Sequence, residues 1–530
     1  MKSLASPWWL YLFLPVFCGF VALHRGQDSN YDLLNYHLYN PGAWLQGRLG
    51  RDLAAAGLQS YFNPLLDLPY YVLSRTWPAA LLGFLMGAFQ GSCGVLVCLI
   101  ARRAFPESPK ANAWLAIAAL LTANFWTELG NTMGDNNTAP MVLAGVLCAS
   151  SARKFANVSH ATWLLLFSGI FAGVATGLKL TNAPYAIALG AAVSAAWPSS
   201  CAKRFRAAAS VGIGAIAGFG VTGGYWLWKM GSQFGNPLFP QFGHVFPNPL
   251  TASGGITDTS WLPAHWWEYL AWPVIVSARP LRIGQLHLHS SIWPVFYALL
   301  VATAIVWIRA ILRFNPHVGS SPTADGATYA RSLIVWFTGI GFLLWMLVFS
   351  IGRYLVPIEL LVPVSSWILI DQLGLIGRRR RAAAAVLALC SVFTLTGPHR
   401  IWDHQKWSRS AFTAVTPEFS DPAHTLIFMG SATPQAWMIS FFPRAVIFAE
   451  IGGSFPQGPG FVDRILSMRH DARQTYVLRE AHANPWFKDA EASKLAALKS
   501  VGIAFDVSKC QTYAAAIGRE AVPYQLCPAE

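Results

Sequence analysis

The stretch HRGQDSNYDLLNYHLYNPGAWLQGRLGRDL, residues 24 to 53, follows an apolar run at residues 7 to 23 and precedes another at 79 to 101. Asp, Asn, Tyr and His are dense in it. A charge at the bilayer centre costs roughly 2.5–3.5 kcal/mol on insertion scales, so this stretch leaves the hydrocarbon where the first run ends. Asp32 is thereby set just beyond a membrane span, followed at helical spacing by Tyr36, Ala43, Leu45 and Gly47. Asp28 precedes it by one helical turn.

The whole chain follows that reading. It has 530 residues, 54% hydrophobic and 12% charged, with a mean hydropathy of +0.41, which excludes an ordinary soluble enzyme. A span needs roughly 20 mainly apolar residues. About eleven such runs are expected, near residues 7 to 23, 79 to 101, 112 to 127, 137 to 152, 161 to 178, 183 to 198, 208 to 228, 291 to 311, 332 to 350, 354 to 371 and 382 to 398. The predicted fold class is an all-α polytopic membrane bundle, residues 1 to 398, followed by a small extracytoplasmic α/β domain, residues 399 to 530.

The net charge of +14 does not point to nucleic acid, because the basic residues lie in every second gap between spans rather than on one soluble face. Lys2, Arg102, Arg103, Lys110, Arg153, Lys154, Lys203, Arg204, Arg206, Arg309, Arg313 and Arg378 to Arg381 form a positive-inside pattern. It places the N-terminus in the cytoplasm and the first loop and the tail outside. A signal peptide over residues 1 to 23 is the alternative; no clear small-x-small site precedes His24, and cleavage leaves the topology unchanged. Cys18, Cys93, Cys98, Cys148 and Cys390 fall in apolar runs and Cys201 in a basic cluster. Cys510 and Cys527 share the tail, where an oxidising compartment favours a disulfide.

Four external segments carry the polar residues. The first loop, 24 to 78, contains NPLLDLPYYVL, whose prolines favour short helices lying in the interface. The second, TELGNTMGDNN, holds Glu128 and Asp135. Lys179 opens the third, and must reach the interface or an anionic partner. The longest, 229 to 290, contains GNPLFP at Gly235 to Pro240, an aromatic belt at Trp266 and Trp267, and Arg279, Arg282, His287 and His289. Arg353 and Tyr354 lie at the outer end of the tenth run, with Glu359 inside it. Residues 315 to 330 look like a flexible connector. In the tail, HTLIFMG, RAVIFAE, TYVLRE and VGIAFDV alternate with helix-like AEASKLAALKSV.

Taken in order, these landmarks resemble the GT-C glycosyltransferases, polytopic enzymes that take sugars from polyprenyl-phosphate donors and include protein O-mannosyltransferases and aminoarabinose transferases. The likeness covers roughly residues 7 to 400. It is carried by Asp32, Tyr36, His37, Ala43, Leu45 and Gly47, and supported by Asp135, GNPLFP and the Arg353–Tyr354 pair. Many relatives open the motif with paired acidic residues, whereas Leu33 and Leu34 follow Asp32, so Asp28 stays open as a rival.

The resemblance implies transfer of a sugar from a polyprenyl phosphate to an envelope glycan, lipid or protein at the outer face of a bacterial inner membrane, by direct displacement with inversion. It implies Asp32 or Asp28 as general base. Tyr36, His37, Glu128, Asp135, Lys179, Arg353 and Tyr354 are the expected substrate contacts, and Asp32, Asp135 and Arg353 are expected around one cavity open to lipid. Arg353 and Lys179 are the first candidates to hold the leaving phosphate. Some relatives share a divalent cation between acidic loops; without a dense carboxylate cluster no metal ligand or other cofactor is assigned. Asp32 could instead cap a helix or pair with Arg25 or Arg51. A transporter of lipid-linked glycans and a noncatalytic envelope assembly factor are the competing functions.

Overall fold

The computed structural model describes residues 8–153, 158–253, 258–288, 290–312, 326–395, 401–482 and 487–530. Lys2, Lys154, Arg313, His289 and residues 313–325 of the connector lie outside the described residues.

The chain enters through α1 (Trp8–Arg25), passes the short helices α2 (Tyr39–Leu45) and α3 (Leu68–Thr76) of the first loop, and re-enters as α4 (Ala79–Ala104). There follow α5 (Pro109–Leu120), α6 (Ala123–Glu128), α7 (Asp135–Ser151), α8 (Val158–Leu178), α9 (Ala183–Ala196), α10 (Cys201–Phe219) and α11 (Tyr225–Phe234). The long loop holds α12 (Trp266–Ala278). The helices α13 (Ile292–Leu312), α14 (Gly326–Val348), α15 (Val356–Glu359), α16 (Val362–Gln372) and α17 (Gly377–Thr394) complete the bundle.

Each of the eleven apolar runs is helical, but they are not alike. Six helices among the described residues are long and apolar enough to cross a membrane, and a seventh span arises if α15 and α16, bent by 52° to one another, are counted as one. The cause of the bend is in the sequence: Pro363 has no N–H for the carbonyl of Glu359, four residues earlier. α5, α7 and α9 have 12, 17 and 14 residues; a 12-residue helix is about 18 Å long against a hydrocarbon core of about 30 Å. α17 begins with four arginines.

Glycine sets the closest helix pair. Gly169 and Gly173 of α8 lie against Val211 and Ala215 of α10, and Gly214 and Gly218 of α10 against Leu166 and Ile170 of α8; at each, an added Cβ would run into the opposing carbonyl. Small residues four apart let membrane helices approach backbone to backbone.

In the first loop lie strands β1 (Gln27–Asp28) and β2 (Ala55–Leu58). The tail carries β3 (His404–Gln405), β4 (Phe412–Ala414), β5 (Thr425–Met429), β6 (Ile447–Ala449), β7 (Gln474–Glu480), β8 (Gln511–Tyr513), β9 (Ala515–Ile517), β10 (Glu520–Ala521) and β11 (Tyr524–Pro528), with helices α18 (Pro459–Asp471) and α19 (Lys488–Ser500). Its main sheet runs β6-β5-β7-β11-β8. β5 is parallel to β6 and β7, and β11 antiparallel to β7 and β8. The segment VGIAFDV, read as a strand, makes only one bridge, Phe505 to Ala529. β11 lies between β7 and the edge strand β8, and its Cys527 is bonded to Cys510.

The tail does not stand apart from the first loop. β1 pairs with β3, and Leu53 extends the sheet beside β6 through Leu53 N–H to Phe448 O (2.8 Å) and Glu450 N–H to Leu53 O (3.0 Å). Arg48 is 1% exposed and donates to the carbonyls of Val446 (2.8 Å) and Pro443 (3.0 Å), while Asp52 accepts from Phe448 N–H (3.1 Å). Leu33, Tyr36, Tyr39 and Ala43 share one apolar core with Phe412, Ile427, Trp437 and Phe448. Removing one member of such a buried charged set costs about 3–5 kcal/mol. Arg48→Ala is therefore expected to lower the thermal unfolding midpoint and expose the tail to limited proteolysis, and an unaltered cleavage pattern would show that the tail holds its place without this side chain.

Candidate functional site

Asp32 stands at the head of a wide turn, Leu33–His37, that closes with Leu38 N–H on Leu33 O (3.3 Å), an i to i+5 bond. Such single π-turns widen a helix locally and are frequent at functional sites. Asp32 is 7% exposed. Its Oδ2 accepts from Arg353 Nη1 at 2.6 Å, across 321 residues of sequence. Arg25 and Arg51 are engaged elsewhere, Arg25 with Leu129 O and over the Trp126 ring, Arg51 with the carbonyls of Arg444 and Ala445.

The other expected residues gather around this pair. Lys179 at the end of α8 meets Asp135 Oδ2 at 2.6 Å and donates to Met133 O at 2.7 Å. The Tyr354 ring lies between two cations, 5.2 Å from Lys179 Nζ and 5.3 Å from the Arg353 guanidinium. Tyr36 packs on His37 and edge-on to Phe62. Glu128 is fully buried, and no side-chain donor among the described residues reaches its carboxylate.

Asp28 is different. Its Oδ1 accepts from Asn30 N–H and Nδ2, and its Oδ2 from Thr132 N–H (2.7 Å), Thr132 Oγ1 (2.8 Å) and Asn30 Nδ2. With its acceptor positions filled, Asp28 ties the first loop to the second and has no lone pair free for a substrate proton. Of the long-loop candidates, Arg282 serves its own loop through Glu268 (3.4 Å) and the Ser260 and Leu262 carbonyls. Arg279 and His287 are exposed, and no hydrogen bond or ion pair among the described residues joins them to the cluster. Glu359 is fully buried and accepts from Asn124 N–H and Nδ2, Ser290 Oγ and Trp293 Nε1.

A further pair was not anticipated. His37 Nδ1 lies 2.8 Å from Asp67 Oδ2, both buried, and His37 Nε2 has no partner among the described residues. Asp67 sits in NPLLDLPYYVL, where prolines and aromatics suggested an interfacial helix and masked the carboxylate; its place just before Pro69, at the start of α3, is the signal that was available. A cavity of about 180 Å³ reaches Arg353, lined also by Asn124, Thr127, Trp261, Leu286 and Trp402.

Among solved structures, the chain is similar to the crystal structure of ArnT from Cupriavidus metallidurans bound to undecaprenyl phosphate, at 14% sequence identity and a TM-score of 0.41, over 99% of this chain and 98% of that one. No protein-family model matches the chain, and no curated protein matches it.

The cluster is balanced in charge, and this decides what it can hold. Asp32, Asp135 and Asp67 each have a cationic or imidazole partner, and no three His, Cys, Asp or Glu side chains among the described residues converge as a metal site. Burial works against ionisation of Asp32, but the Arg353 guanidinium, the neighbouring His37 and the Arg353 hydrogen bond outweigh it and hold the carboxyl below the usual range. Asp67 is pushed up by burial, with His37 offsetting part of that.

The sign of the linkage follows from the depressed value. Asp32 contributes stability that is present above its unfolded value of about 3.9 and is lost as pH falls through its folded value. In Arg353→Gln burial is left unopposed by that guanidinium, so Asp32 destabilises the fold at neutral pH, by about 3–5 kcal/mol for a broken buried pair, and takes up a proton on acidification. Because Asp52, raised to about 6 by burial, titrates in both proteins, the coupling is read as a difference: between pH 7 and 5 the unfolding midpoint of Arg353→Gln should gain on that of the wild type as pH falls. Parallel curves for the two proteins would dissolve the coupling.

Proposed function

We propose that the chain is a membrane glycosyltransferase that moves a sugar from a polyprenyl-phosphate donor to an envelope glycan, lipid or protein. The observation that supports it best is the meeting of Asp32 and Arg353 in one buried cluster at the edge of the bundle. In this reading the donor phosphate reaches Arg353 from the adjoining cavity, with Lys179 as second cation. The phosphate then competes with Asp32 for the guanidinium, and a carboxylate that was a poor base while paired becomes a better one.

The acceptor hydroxyl oxygen attacks the anomeric carbon from the face opposite the phosphate. A new C–O bond forms, the bond to the phosphate oxygen breaks, and its electron pair leaves with the polyprenyl phosphate. The hydroxyl proton passes to Asp32. Arg353 and Lys179 hold the charge that develops on the leaving group. Direct attack inverts the anomeric centre, and Tyr36, His37 and Tyr354 shape the site around the sugar.

A transporter of lipid-linked glycans would make use of a broken span with an acidic group inside, and the 52° bend beside Glu359 has that form. Yet the Glu359 carboxylate is taken up by Asn124, Ser290 and Trp293, which makes it a pin between helices. The enzyme reading uses Asp32, which takes a single donor, Arg353, against the four on Glu359.

Asn at position 32 keeps the shape and an acceptor for Arg353 but cannot take the proton. Asp32→Asn is expected to lower transfer of label from polyprenyl-phosphate sugars in membranes by about 10²–10⁴-fold, at wild-type abundance; full turnover in that variant would falsify the assignment. The same reading puts the first loop outside a bacterial inner membrane and the basic gaps inside. Leu45 is 52% exposed and Cys201 is exposed. A membrane-impermeant maleimide should label Leu45→Cys in intact spheroplasts, and Cys201 only after permeabilisation; the reverse order of labelling overturns the orientation.

A further inference from the structure

A second cavity, of about 320 Å³, lies between the tail and the first loop, where Tyr31 and Asn35 of the Asp32 turn face the loops after β5 and β6 and the start of α19. Its polar groups are set for hydrogen bonding without net charge. Gln435 is 5% exposed, and its Oε1 has no partner among the described residues. Glu450 is paired with Lys494, which also donates to Ser431 O at 2.7 Å. The Ser431 and Thr433 hydroxyls bond to each other at 2.7 Å. At the mouth the Tyr31 and Phe487 rings stand 6.5 Å apart. The floor depends on glycine: Gly57 has φ of +61°, a Cβ there would strike Ser454 Oγ, and one on Gly453 would strike the Glu450 carboxyl.

We propose that this cavity binds a neutral saccharide and presents it to the Asp32 turn as the acceptor. The acceptor role rests on the transferase reading; saccharide binding does not. An amide oxygen and a neutralised carboxylate beside hydroxyls suit the alternating donors and acceptors of a polyol, and aromatic rings suit the apolar C–H faces of a pyranose. A phosphate would meet Glu450 and an amide oxygen with a single lysine already spent. The volume stands at the lower end of the range for ligand pockets, about 300–1,000 Å³, which fits one or two sugar rings rather than a long chain. Tyr31 precedes Asp32 by one residue and Asn35 follows by three, so a sugar held at the mouth and the carboxylate lie on one turn of chain.

The test uses the full chain in lipid nanodiscs, with glucose, N-acetylglucosamine and inorganic phosphate as probes, read by saturation-transfer NMR. Gln435→Ala removes the amide oxygen, and Ala490→Trp fills the mouth from an exposed position on α19, one helical turn before Lys494. Binding of either sugar to the wild type, weakened at least about tenfold in both variants, the scale of one or two lost hydrogen bonds, is the expected result. Absence of sugar binding, equal binding in Ala490→Trp, or displacement of the sugar by phosphate overturns the proposal. Sugar binding without any transfer from polyprenyl-phosphate donors would sink the transferase reading and leave the site standing; transfer with an unchanged acceptor KM in Ala490→Trp would do the opposite.

Discussion

A charge withdrawn from water has to find its opposite, and that constraint organises this protein more than any other. Asp32 with Arg353, Lys179 with Asp135, His37 with Asp67, Arg48 with Asp52 and Lys494 with Glu450 are all largely buried. Desolvation makes any one of these groups expensive alone, by several kcal/mol per ion. Because Asp32 with Arg353 and Lys179 with Asp135 join separate segments of the chain, the cost becomes a specification: the first loop has to meet the turn before the bent span, and the second loop the end of α8. Apolar packing builds the bundle, and charge pairing places the loops on it.

The same constraint explains what could be read from the sequence. Apolar runs are legible because hydrocarbon tolerates little else, and the described part of each of the eleven runs is mainly helical, with 112 to 127 and 354 to 371 each broken in two. Lys179, isolated after an apolar helix, announced its need of an anion, and Asp135 is that anion. Asp32 and Arg353 were singled out separately, each for its place just outside a span. Cys510 and Cys527 were paired because they alone share the tail, and they are bonded.

Other features depend on geometry that residue order does not display. Asp28 and Asp32 look equivalent in a string of letters, and only the position of Thr132 shows that one of them is filled with donors. His37 and Asp67 are 30 residues apart, with nothing local to link them. The full-span count turned on helix length, where turns after Leu120 and at Glu359 shorten what hydropathy merges. The tail was read as a module by itself because its strands alternate well; that it would borrow Leu53 for an edge and Arg48 for a brace had no local signature.

That borrowed edge has a consequence for how the molecule comes into being. Arg48 emerges from the ribosome long before Val446, its partner 398 residues on, and at about 5–20 residues per second the interval is on the order of 20–80 s. Throughout it the segment bearing Asp32 lacks the floor that orders it. The bundle is made first, and the first loop gains its brace and its sheet edge only once residues 443 to 450 have followed.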